Sequence, residues 1–224
     1  MKHTFKLSAI ALSLATLSLT ACDNAPKGDQ ATTTEEQTAT STTGQSYAVN
    51  TSASSVRFTG NGVGKNHPGK FSLLEGSLAV ANNQVTGGNF VIDIKSLDME
   101  EEGEMIDGKL RPHLLSGDFF DAAKDSTAKF EVTKVEPYTA SADNKSVVAG
   151  ANATVSGNLT LKGVTKNVTF PAKIDVTENG VDAKANFDID RTQWGIVYGN
   201  DKGLGDKFIS ETVNIELDVK ANKL

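Results

Sequence analysis

Histidine is the commonest metal ligand and a ready general base, and the chain carries it at His3, His67 and His113. None of the three has a second ligand three or four positions away, the spacing that aims two side chains at one metal. No metal site is expected. Gly60-Asn-Gly-Val-Gly-Lys65 is glycine-rich and ends in lysine, as a phosphate-cradling loop does. Its spacing fails, because Thr59 stands where the first glycine belongs and Asn66 stands where Ser or Thr would hold a metal ion. The stretch reads as a connection between strands. Asp188 and Asp190 would share one face of a strand, but exposed strand faces commonly carry carboxylates, so the spacing alone makes no acid and base pair. Neither Gly-x-Ser-x-Gly nor His-Glu-x-x-His occurs. No catalytic residue is assigned, no cofactor is implied, and a protein without enzymatic chemistry is expected.

One reactive side chain remains, Cys22, the single cysteine of the chain. It follows a short basic head, an apolar run from Leu7 to Leu19 and small residues ending at Ala21, the pattern of an export signal over residues 1–21. The apolar run falls short of the about 20 residues that cross a bilayer. Leu19-Thr20-Ala21-Cys22 resembles the lipobox cut by the bacterial lipoprotein signal peptidase, which implies a mature chain beginning at a lipidated Cys22. At about 0.8 kcal/mol per buried CH2, more than one acyl chain anchors a protein stably. The expected product is exported and tethered to a membrane, facing the periplasm. Asp23 resembles the residue that retains lipoproteins at the inner membrane. No second cysteine is present to form a disulfide.

Residues 22–46 are rich in Thr, Ala, Gln, Glu and Ser and nearly free of large apolar side chains. By composition they bury too little to offset the entropy of ordering. A disordered tether is expected, holding the domain roughly 25 to 30 Å from the membrane as a random coil. The remainder, 47–222, suits one domain with a sizeable core. The formal net charge of −6 becomes more negative once Lys2 and Lys6 leave with the signal, which argues against nucleic acid as a partner.

The elements that must position any site alternate with a period of two over 55–59, 89–94, 128–132, 168–176, 181–189 and 212–219. In the last, Val213, Ile215, Leu217 and Val219 face one way and Asn214, Glu216, Asp218 and Lys220 the other, giving one core face and one wet face. Turn signals lie at Glu75-Gly76, Asn82-Asn83, Gly87-Gly88, Lys162-Gly163 and Asn179-Gly180. Asn-x-Ser/Thr triplets at Asn50, Asn152, Asn158 and Asn167 read as chance. One segment breaks the alternation: after the acidic run at 100–104, a solvated loop, Met105, Ile106, Leu110, Leu114 and Leu115 are spaced to share a helix face. Pro112 limits that helix. Many strands, tight turns and one short helix predict an all-β sandwich or barrel, and a barrel's apolar interior is either filled by side chains or given to a ligand.

Three stretches carry a family resemblance: His113-Leu-Leu-Ser-Gly-Asp-Phe-Phe-Asp121, Gly157-Asn-Leu-Thr-Leu-Lys-Gly-Val-Thr165 and Phe187-Asp-Ile-Asp-Arg-Thr-Gln-Trp-Gly195. In order and spacing, from about Tyr47 to Ala221, they resemble the YceI-like family, named for its polyisoprenoid-binding barrel. The chain departs from many members in having Arg111-Pro112 rather than Arg-Asp before the His-Leu, and in a longer acidic loop. The resemblance implies an extended antiparallel, lipocalin-like β-barrel of about eight strands with a short helix, enclosing an apolar tunnel for an isoprenoid lipid of the polyprenyl phosphate or quinone type. The inward faces that would wall it carry Phe58, Phe90, Ile92, Phe130, Leu159, Leu161, Phe170, Phe187, Ile215 and Leu217. Each also suits a plain core. Phe119, Phe120 and Trp194 are expected near the helix or tunnel mouth, and His113 and Arg191 are candidates for a polar head group. Arg191 is equally suited to a structural ion pair. The rival reading is an interaction module with a filled barrel that acts on a membrane or respiratory partner. The sequence leaves the oligomeric state open, a dimer included.

Overall fold

The computed structural model describes residues 25–39, 43–141 and 145–224. The expected signal segment 1–21, Cys22 and Asp23 lie outside the described residues. In chain order the strands are β1 (Asp29–Gln30), β2 (Thr32–Glu35), β3 (Gln45–Val49), β4 (Ser55–Gly62), β5 (Lys65–Ala81) and β6 (Gln84–Met99). They continue as β7 (Thr127–Pro137), β8 (Ala153–Leu161), β9 (Val164–Val176), β10 (Gly180–Asp190) and β11 (Ile209–Lys223). The helix α1 (Arg111–Leu115) continues a single π turn, Ile106–Leu110. Strands β4 to β11 each pair with the next, and β11 returns to β4, all antiparallel. The expected eight-stranded antiparallel barrel with one short helix therefore forms, and closure pairs strand edges that would otherwise be exposed.

The tight turns at Asn82-Asn83 and Lys162-Gly163 have positive φ at both residues, the geometry whose twist matches a two-residue hairpin. Glu75-Gly76 and Gly87-Gly88 turn nothing, because β5 and β6 run straight through them. Their glycines make room for neighbours instead: a Cβ on Gly76 would lie 2.9 Å from the Val49 side chain, and one on Gly88 would lie 2.6 Å from that of Leu78. Glycine inside a strand commonly marks such a close approach. β3 packs Tyr47 and Val49 into the core while bridging β5 and the end of β11.

Residues 28–37 correct the expectation of a disordered tether. β9 and β10 pair with each other only through Lys173–Val176 and Val181–Lys184. Toward the other end they part, and the gap is filled by β1, parallel to β10 at Phe187 and Asp188, and β2, antiparallel to β9 at Lys166 to Thr169. Composition misled here because it measures apolar burial. What orders this segment is chiefly the supply of unpaired backbone N–H and C=O groups on two diverging strands, with Ala31 as its one buried apolar side chain.

The Asn158 and Asn167 triplets hold this strap. Asn167 Nδ2 donates to Asn158 Oδ1 and Thr133 Oγ1, and Asn158 exchanges two hydrogen bonds with the backbone of Gln37. All three side chains are buried.

Glycine also shapes the inner wall. A Cβ on Gly157 would sit 2.3 Å from Phe130 Cζ, whereas a Cβ on Gly60 would meet nothing within 4 Å. Gly157→Ala should therefore destabilise the protein by about 1–3 kcal/mol through overpacking, while Gly60→Ala should stay within about 0.5 kcal/mol. Urea unfolding midpoints of the two variants check this contrast.

Candidate ligand cavity

A cavity of about 430 Å³ runs inside the barrel, within the roughly 300–1,000 Å³ of typical ligand sites. Phe58, Phe90, Ile92, Phe130, Leu159, Leu161, Phe170, Phe187, Ile215 and Leu217 all line it. They come together because each lies on the inward parity of its strand: Leu159 is in register with Phe130 in turn, and Phe187 with Ile215. The rings form a near-continuous band, with Phe90 to Phe130 at 6.3 Å, Phe130 to Phe170 at 6.0 Å and Phe170 to Phe187 stacked at 3.9 Å. The last pair faces across the gap that the strap fills. A second group, Phe58, Phe71 and Phe120, packs with centroids 5.2 to 6.2 Å apart.

Phe71, Leu73 and Leu78 also line the cavity, and the sequence reading missed them. β5 is interrupted by register shifts, so its inward residues do not recur with a clean period of two. The cavity meets solvent at the β4–β5 hairpin and the 202–207 turn, where exposed Val63, Lys65 and Lys207 line it together with His67 and Asn61. Asn61 is buried, and its Oδ1 has no hydrogen-bond partner. Gly60 to Lys65, read as a plain connection, thus forms part of the rim. His67 Nδ1 lies 2.7 Å from a Glu101 carboxylate oxygen.

The five residues expected near the mouth divide. Phe119 and Phe120 line the cavity beside Leu110 and Leu114. His113 does not: its Nε2 lies 2.9 Å from Asp118 Oδ2, and its ring meets Phe119 and Tyr198 edge-on at 5.1 and 4.7 Å. Trp194 is fully buried beside the wall, outside the lining, and donates from Nε1 to the Leu159 carbonyl at 2.9 Å. Arg191 touches the cavity, but its guanidinium donates to the carbonyls of Ser210, Ile196, Tyr198 and Ile209. Its hydrogen bonds go to backbone rather than to a carboxylate. Burial lowers the Arg191 pKa from its usual value, against which the charges of Asp190 and Glu211 act.

The other chemically suggestive residues also have structural partners. Asp190 Oδ1 accepts from the Thr192 N–H and hydroxyl, capping the 3₁₀ turn Arg191–Trp194. Asp188 Oδ1 accepts from the Gly28 N–H and from Asn214 Nδ2. Among the described residues, no group of three or more His, Cys, Asp or Glu could hold a metal ion.

Comparison with known proteins agrees with this architecture. The family model described as YceI-like domain matches residues 47–221. A UPF0312 protein of Pseudomonas aeruginosa is 33% identical over 106 residues, 47% of this chain and 48% of its own. One of Vibrio vulnificus is 35% identical over 107 residues, with the same shares. The match thus spans about half the length of these curated relatives. Among solved structures, Burkholderia cenocepacia BcnA superposes with a TM-score of 0.59 at 18% identity, covering 77% of this chain and 98% of its own. A structure described as a polyisoprenoid binding domain from Saccharophagus degradans gives 0.58 at 17%, covering 80% and 99%. At these identities the structural likeness establishes the fold.

The four carbonyls around Arg191 generate a prediction. Arg191→Lys keeps the charge but loses the planar fork, leaving buried carbonyls unpaired at about 1–3 kcal/mol. The urea midpoint should fall accordingly; an arginine that served only a ligand head group would leave it unchanged.

Proposed function

The chain belongs to the YceI-like family, and on that premise we propose that it is a non-enzymatic carrier of an isoprenoid lipid, tethered on the periplasmic side of a membrane through a lipidated Cys22. The observation that carries this reading is the apolar cavity: a closed barrel keeps open an interior walled by ten inward side chains on seven strands. A filled barrel, as the rival interaction module requires, would close that space by packing to the density of an ordinary core. The Saccharophagus degradans structure of the same fold is described as a polyisoprenoid binding domain, which supports the ligand class.

The cavity chemistry sets how affinity should vary. At about 0.8 kcal/mol per buried CH2, a five-carbon isoprene unit contributes up to roughly 3 to 4 kcal/mol before ordering costs. Each further unit adds only while the wall can still cover it, and ligand ordering offsets part of each gain. Wall aromatics and aliphatics supply affinity without selecting the head group. The polar rim of Asn61, Lys65, His67 and Lys207 is where polyprenyl phosphate and quinone would be distinguished.

Two outcomes test the reading. Protein purified from the membrane fraction and extracted for mass spectrometry should yield a co-purifying isoprenoid, and affinity for added prenols should rise with chain length and then level off. A barrel that is empty in every preparation and indifferent to prenol length would overturn the carrier. Cys22→Ser should move the protein from the membrane fraction to the soluble periplasm; attachment that persists would remove lipidation from the account.

A further inference from the structure

Between β9 and β10 the barrel wall is completed by a segment that is not one of its eight strands. Continuing the β9–β10 register beyond Lys173 and Lys184 would set Phe170 opposite Phe187 and Thr169 opposite Asp188. Instead, Thr169 pairs with Thr32 and Asp188 with Gln30, leaving Ala31 between the two strands. Directly inside this seam lie the stacked rings of Phe170 and Phe187, both in the cavity wall.

What holds the seam shut is almost wholly polar. Gly28 N–H donates to Asp188, and Ala31 N–H donates to the Asp188 carbonyl. Asp29 accepts from the Ser146 hydroxyl and the Val147 N–H, while Lys166 pairs with Glu35 at 2.6 Å. Gln37 closes the sequence on Asn158. Such bonds are exchangeable with water at small net cost. Ala31, which is buried, is the one apolar side chain of the strap, so the strap has little of the hydrophobic stabilisation that fixes the eight barrel strands. β9 and β10 keep their own pairing at one end, so the seam could part there without unravelling the ring.

We propose that the β9–β10 seam is a side entrance to the cavity for a long apolar chain, and that residues 28–37 are the strand that closes it. This rests on the lipid-carrier reading. With the strap in place, the wall is continuous over Phe170 and Phe187. With it withdrawn, those rings border a slit through which an extended prenyl tail slides sideways, avoiding end-on threading past the rim. Cys22 precedes Gly28 by only six residues, a span of at most about 20 Å. Withdrawal also frees the paired stretch as additional tether, so opening the seam and lengthening the leash to the membrane are the same motion.

Thr32 and Thr169 are register partners on neighbouring strands, suitably placed for a cross-strand disulfide. The test uses the full mature chain with Cys22→Ser, Thr32→Cys and Thr169→Cys, and a geranylgeraniol carrying a fluorescent nitrobenzoxadiazole group as probe. Oxidation should slow probe uptake several-fold, reduction of the same sample should restore it, and Ala31→Asp, which loosens the strap, should speed it. Equal uptake rates in the oxidised and reduced forms would overturn the side entrance. Hydrogen exchange gives a readout independent of lipid: amides of 28–37 should exchange together and well before those of β9 and β10. Exchange no faster than the barrel strands would also overturn it. Should the probe bind neither form, the carrier reading fails by itself, and the exchange result decides whether the strap opens.

Discussion

Closure of the backbone hydrogen-bond ring is the constraint on which the rest of this structure depends. A sheet of eight strands must either leave two edges unpaired or bend until the last strand meets the first. Here β11 reaches β4, and the ring then encloses whatever its inward parity carries. The cavity follows from that closure together with the choice of side chains: large rings stand inside, but not enough of them to fill the space. Where β9 and β10 diverge, the ring is completed by a borrowed segment from the N-terminal side. The same requirement for paired backbone explains both the regular wall and its exception.

Glycine and phenylalanine set the shape of the interior jointly. Phe130 lies over Gly157 and Phe58 over Gly69, where any Cβ would meet the ring below 3 Å. The aromatic rings thus lie against the wall rather than projecting across the lumen. Such pairing keeps the surface apolar while preserving free volume, a compromise that a core under selection for packing alone would not need. Polar residues near the cavity are mostly occupied with structure: Arg191 ties the 196–210 segment to the barrel through four carbonyls, and Trp194 fastens the adjacent turn to β8. The rim at the β4–β5 hairpin is different, with an unpartnered buried amide oxygen at Asn61 beside exposed lysines.

Much of the wall was legible in the chain. Period-two alternation over segments such as 212–219 assigns inward and outward faces without any knowledge of partners, because the strand backbone itself alternates. All ten proposed wall residues accordingly line the cavity. Leu78 was not legible as a continuation of Phe71 and Leu73, because the bulge between Leu73 and Glu75 shifts the inward parity of β5. His113 and Trp194 were placed near the mouth by their motifs, but a motif does not say which side of a wall its side chain takes. Gly76 and Gly88 looked like turns because glycine serves two purposes, positive φ and close approach, and one letter does not separate them.

What the sequence determined by itself is local: strand periodicity, the two hairpin turns with left-handed residues and the short helix. Each depends on neighbours a few positions apart, so the information is contained in the string. The tertiary structure alone decided the closure partners, the free volume inside and the fate of residues 28–37. Ordering of that Thr-rich segment depends on β9 and β10, about 130 to 160 residues away in the chain, whose parted edges offer it hydrogen bonds. No composition of its own could have revealed them.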